Sequence, residues 1–134
     1  MRRRKMKKMA KAMFLALVAI SFSAAMPLMA AEEKTFTPYP TIVEADVVKG
    51  IVDGKTVGLV IDARPKVKKY DKGHIPGALS MPTSQFDKMK GLLPADKKAL
   101  IVFYCGGLKC ALSHKSAFKS EKLGYTNVKV FAKG

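Results

Sequence analysis

Apolar residues in this chain gather into short runs separated by polar, glycine-marked or proline-marked breaks. The two strongest runs cover 57–62 and 99–104. Their continuous β-forming character, with little alternation, predicts strands covered on both faces. A brief strand is predicted at 78–81, stopped by Pro82, and a last one at 128–131. Ile42 and Val43 read as a short edge strand. Helical spacing appears at Ala45, Val48 and Val52, with Gly54 ending the segment. A second helix is predicted from an N-cap at Thr83 or Ser84 through Met89, with Phe86 and Met89 on one face. The clearest helix is 111–123, where Ala111, Leu112, Ala117, Phe118 and Leu123 share a face and Gly124 takes the C-cap glycine place. Strands alternating with helices over short connections predict an α/β fold: a small parallel β-sheet flanked by helices on both faces.

The amino-terminal pattern is different. A basic start, Arg2 to Lys11, precedes an uncharged apolar stretch that Pro27 breaks, and small residues follow at Ala30 and Ala31. Residues 1–31 therefore read as a secretory signal cut after Ala30 or Ala31, or as an uncleaved membrane anchor. Either places the domain outside the cytoplasm, periplasmic or secreted, where disulfides form. Residues 32–40 read as a linker, kept extended by Pro38 and Pro40.

Composition bounds the rest. At 134 residues, 49% hydrophobic and 26% charged, the chain has the length and make-up of one globular domain. Its formal charge of +15 is concentrated in the leader: residues 1–30 hold seven of the 25 Lys and Arg and no acid, leaving 18 basic against 10 acidic residues. No basic run is interleaved with stacking aromatics, which argues against nucleic acid. Scattered lysine reads as a solvated surface, or as a mild attraction for small anions.

The candidate chemistry lies where the 99–104 run stops at Cys105. Gly106 and Gly107 follow, then the best helix. In parallel sheets, ligands bind where strand carboxyl ends meet helix amino ends. A thiol there faces backbone N–H groups and the positive end of a helix dipole, which favours the nucleophilic thiolate. An ordinary thiol of pKa about 8.5 is only a few per cent ionised at neutral pH, and lowering it by about two units corresponds to roughly 2.7 kcal/mol. Gly106, Gly107, Leu108, Lys109 and Cys110 form a candidate anion- or sulfur-cradling loop, since the glycines let it curl tightly. Lys109 reads as a holder of an anionic donor or as a solvated side chain. The other reading of Cys105 is a buried, inert thiol. Cys110 reads either as a second redox-active thiol facing Cys105 or as a small packing residue. A bridge across so short a loop would add only about 2 kcal/mol and reduce easily. The spacing is not C-x-x-C, and two thiolates fall short of the four ligands zinc wants, so no metal is assigned.

Three segments, in order and spacing, resemble a rhodanese (thiosulfate sulfurtransferase) domain over residues 41–134. They are Ile61-Asp62-Ala63-Arg64-Pro65, then Tyr70-Asp71-Lys72-Gly73-His74-Ile75-Pro76-Gly77-Ala78, then Val102-Phe103-Tyr104-Cys105-Gly106-Gly107. The resemblance implies that Cys105 takes sulfane sulfur from a small anionic donor such as thiosulfate, as a persulfide. It then passes the sulfur to a thiol or cyanide acceptor, with no cofactor. Asp62 and Arg64 become a structural pair fixing loops beside the site, and His74 a histidine that hydrogen-bonds a turn. His114 reads as a surface or capping residue. The chain is expected to act as a monomer, touching a membrane only if its leader stays uncleaved. Family loops often end with Arg or Lys followed by Ser or Thr, where this chain has Cys110 and Ala111. The related phosphatases need Arg six positions after the cysteine; Ala111 there argues against phosphatase or arsenate reductase activity. Family members usually continue into a further helix, commonly with a tryptophan, and this chain has no Trp. The alternatives to a sulfurtransferase are a dithiol redox or metal-handling protein using Cys105 and Cys110, and a non-catalytic rhodanese-like binding module.

Overall fold

The computed structural model describes residues 36–134. The signal, the anchor alternative and the first four residues of the linker, 32–35, lie outside the described residues. Four strands, β1 (Leu59–Asp62), β2 (Leu79–Ser80), β3 (Ile101–Tyr104) and β4 (Val128–Phe131), form one sheet in the order β2-β1-β3-β4. Every pairing is parallel, with Asp62 opposite Tyr104 and Tyr104 opposite Phe131. Ile42 bridges to Val130 in parallel, so the expected edge segment does join the sheet beyond β4.

Helices α1 (Ala45–Val52), α2 (Phe86–Met89) and α3 (Leu112–Lys122) complete the fold. The uninterrupted apolar runs have their predicted cause, because both faces of the sheet are covered. On one face Val48 and Ile51 of α1 pack against Val60, Val102, Tyr104 and Phe131. On the other, Ala117 of α3 and Phe86 of α2 join Ile61, Ile101, Phe103 and Val130. β3 at the centre is buried throughout. Gly54 and Gly124 close α1 and α3 in left-handed backbone, at φ +73° and +96°. Among the described residues, no helix is long and apolar enough to cross a membrane.

Three expectations need correction. α3 does not turn its apolar residues inward as a stripe. Its buried residues are Ser113, His114, Ser116, Ala117 and Ser120, while Leu123 is exposed. Small side chains let the helix lie close on the sheet, and their hydroxyls are satisfied locally. Ser120 Oγ donates to Ser116 O at 3.0 Å, and Ser116 Oγ shares a 2.8 Å bond with Thr83 Oγ1. That pairing explains the second correction. Thr83 and Ser84 do not cap a helix; residues Thr83–Gln85 form a 3-10 turn leading into the four-residue α2, with no side-chain cap. The Thr83 hydroxyl reaches instead across to Leu112 O, at 2.9 Å. Third, His114 is buried, not superficial. Its Nδ1 accepts the Tyr39 backbone N–H at 2.9 Å and its ring lies 4.7 Å from that of Phe36. It ties the incoming chain to α3.

Candidate active site

Cys105 directly follows β3 and is 3% exposed. Its Sγ lies 3.1 Å from Ser113 Oγ and donates to the Cys110 carbonyl at 3.3 Å. Ser113 is the second residue of α3, so its backbone N–H is one of the donors a helix start leaves free. That N–H and the Ser113 hydroxyl both act to lower the Cys105 pKa. They do not prevail. Burial, first, and the Cys110 thiol beside it push the Cys105 thiol up from its ordinary value. The expected thiolate-favouring setting is therefore only half built: the helix start contributes, but the Cys110 carbonyl faces the sulfur where a further N–H would help.

The loop after Cys105 encloses an open hollow of about 540 Å³, lined by Gly106, Gly107, Leu108, Lys109 and Cys110. Gly107 adopts φ +134°, a conformation that side chains resist, and Cys110 N donates to Gly107 O at 3.0 Å, closing a turn. Gly134 packs against this loop so closely that a Cβ there would come within 2.6 Å of the Cys105 carbonyl oxygen. Leu108 and Lys109 are exposed, and Cys110 is half-buried. Lys109 makes no ion pair among the described residues, which leaves its ammonium free beside the hollow.

The supporting residues form a separate cluster at the ends of β1 and β3. Asp62 is fully buried, and its carboxylate accepts from Arg64 Nη2 at 2.7 Å, Arg64 N at 2.9 Å and Tyr104 Oη at 2.9 Å. Arg64 also donates to Gly73 O at 2.8 Å, and Tyr104 Oη accepts the Ile75 N–H at 3.0 Å. The pair thus pins the 73–75 loop against the strand that delivers Cys105. The Arg64 guanidinium is held above its ordinary pKa, mainly by its bond to Asp62. Tyr104 is pushed up to about 12, chiefly by burial, so its phenol keeps the proton it donates. His74 lies apart from the sulfur, exposed at the surface. Its Nδ1 is 2.9 Å from Tyr70 O, and its ring stacks on Tyr70 at 3.6 Å.

Two residues of the site escaped sequence reasoning. Ser113 has no distinguishing spacing; only a hydroxyl in the first turn after the loop hinted at it. Tyr104 reads in the sequence as one more strand residue, and its contact with Asp62 spans 42 positions.

A buried thiol at a strand-to-helix loop, on the carboxyl edge of a covered parallel sheet, defines a thiol-centred α/β domain. The family model for the rhodanese-like domain matches residues 44–134, and the chain belongs to that family. No match to a curated protein was found. Among solved structures, the chain is similar to the BH2092 protein of Bacillus halodurans, at 28% identity and a TM-score of 0.57, covering 69% of this chain and 67% of that one. The human single-domain sulfurtransferase TSTD1 matches at 22% identity and a TM-score of 0.56, over 70% and 89% of the two chains. The Saccharomyces cerevisiae single-domain sulfurtransferase RDL2 matches at 18% identity and a TM-score of 0.59, over 75% and 89%. The last two likenesses establish the shared fold.

Proposed function

We propose that this domain is a sulfurtransferase that carries sulfane sulfur on Cys105. The observation that supports it most is the placement of Cys105 Sγ at the carboxyl edge of the sheet, 3.1 Å from the Ser113 hydroxyl at the start of α3. When Cys105 loses its proton, the Ser113 hydroxyl and N–H stabilise the sulfur anion. The thiolate attacks the outer sulfur of thiosulfate, the S–S bond breaks, and sulfite leaves. The exposed ammonium of Lys109, beside the hollow, attracts the incoming dianion. A thiol or cyanide then attacks the outer persulfide sulfur and returns Cys105 as thiolate. Because burial holds the Cys105 proton, transfer speeds up as pH rises above neutral.

The test is thiocyanate formation from thiosulfate and cyanide. Wild type should form it, and Cys105→Ser should lose it entirely. Thiocyanate formation by the Cys105→Ser chain at the wild-type rate would remove Cys105 from the reaction.

A further inference from the structure

Cys110 is the second sulfur nucleophile of the loop, and the sulfurtransferase cycle leaves it without a task. It is half-buried, unbridged, and lines the hollow. The turn from Gly107 to Cys110 folds the loop back toward Cys105, whose thiol donates to the Cys110 carbonyl at 3.3 Å. The Cys110 side chain also lies near enough to Cys105 to oppose its ionisation. A thiol held this close meets Cys105 without a diffusional encounter, whereas an acceptor from solution must reach a cysteine that is 3% exposed.

We propose that Cys110 is a resolving thiol that gives the site a second activity, release of hydrogen sulfide from the Cys105 persulfide with formation of a Cys105–Cys110 disulfide. This rests on the sulfurtransferase reading for the origin of the persulfide. The Cys110 sulfur attacks Cys105 Sγ, the inner sulfur, and a Sγ–Sγ bond forms. The bond to the outer sulfur breaks, and its electron pair leaves with that sulfur. The outer sulfur takes the proton of the Cys110 thiol and departs as hydrosulfide, which water protonates to hydrogen sulfide. Two electrons pass from the cysteine pair to the sulfane sulfur, so the step needs no outside oxidant. Attack on the outer sulfur would instead pass the sulfane sulfur to Cys110, with the Cys105 thiolate as leaving group, and release no sulfide. Hydrosulfide is the weaker base and the better leaving group. A dithiol reductant, exchanging with the disulfide, restores both cysteines, so steady sulfide release is dithiol-dependent.

The experiment incubates the full chain with sodium thiosulfate, without thiol or cyanide, then quenches with an alkylating agent for sulfide measurement and intact mass. Wild type should release sulfide in amounts comparable to protein and end as a disulfide that resists alkylation until reduced. Cys110→Ser and Cys110→Ala should instead keep one added sulfur, which cyanide removes, and release no sulfide. Removal by cyanide also reports that the variants fold with a working Cys105. If wild type keeps its added sulfur as long as both variants and forms no disulfide, the resolving role is overturned while the sulfurtransferase reading stands. If thiosulfate loads none of the chains, that reading fails, and sodium polysulfide becomes the sulfur source. A disulfide in wild type with a lasting persulfide in Cys110→Ser then supports resolution, and no disulfide overturns it.

Discussion

At Cys105, burial and the neighbouring Cys110 thiol hold the proton on, while the Ser113 hydroxyl and N–H favour its loss. Removing one favourable contact should show at once. Hydrogen bonds to charged groups contribute about 1.5–3 kcal/mol, and one pKa unit corresponds to about 1.4 kcal/mol. Ser113→Ala should therefore push the Cys105 pKa further up and slow sulfur uptake near neutral pH by about tenfold. The check is the pH profile of Cys105 alkylation, compared with sulfur uptake at a pH high enough to ionise both proteins. Recovery of uptake at high pH belongs to a pKa effect; an unchanged profile would assign Ser113 to packing alone. Cys105 itself was legible in the sequence, because a buried-strand run that ends in Cys-Gly-Gly before a helix leaves few other places for a reactive thiol. Its raised pKa was not legible, because it depends on how deeply the folded loop buries the sulfur and on the Cys110 side chain brought beside it.

Among the elements, the strands were readable and the helix faces were not. A strand covered on both sides must be apolar at successive positions, so β1 and β3 announced themselves. α3 is held by a different means. Its buried serines are selected by closeness to the sheet and by Thr83, and Thr83 lies 33 positions from its partner Ser116. No local period carries that information. Likewise His114 looks like a surface residue until Tyr39, 75 positions away, is brought against it. The tight contact is testable. Ser120 is fully buried with its hydroxyl bonded to Ser116 O, so Ser120→Leu should overpack the interface. A loss of about 1–3 kcal/mol is expected in urea unfolding. A neutral result would mean that α3 lies farther from the sheet than described.

For the whole molecule, four buried groups with shifted pKa values, Tyr39, Tyr104, Cys105 and His114, bear on the pH range of stability. Cys105, Tyr39 and Tyr104 all have raised pKa values, chiefly through burial, with Tyr104 at about 12. Each holds its proton longer folded than unfolded. Their contribution is full below the ordinary thiol and phenol values, roughly 8.5 and 10, and is lost as pH rises through the folded values. His114 is lowered by burial, so its contribution is present above the ordinary imidazole value of 6.5 and is lost as pH falls through the depressed one. The thermal midpoint should be highest between about pH 7 and 8.5 and decline on both sides. Tyr104→Phe should flatten the alkaline decline, and His114→Asn the acid one. A wild-type decline that persists unchanged in both variants would place the cause elsewhere. The fold class was legible at this scale from the alternation of strands and helices, and the family from three motifs in order. The docking of the 36–39 segment was not, since nothing in its own residues names its partner.

The persulfide on Cys105 is the claim that everything else about the site serves, and intact-mass spectrometry reads it directly. After exposure to thiosulfate, the Cys110→Ser chain, in which the sulfur cannot be resolved internally, should carry one added sulfur atom. Peptide mapping should place it on Cys105, cyanide should remove it as thiocyanate, and the Cys105→Ser chain should remain unmodified. Sulfur that appears equally on the Cys105→Ser chain, or that maps to any residue other than Cys105, would contradict the account.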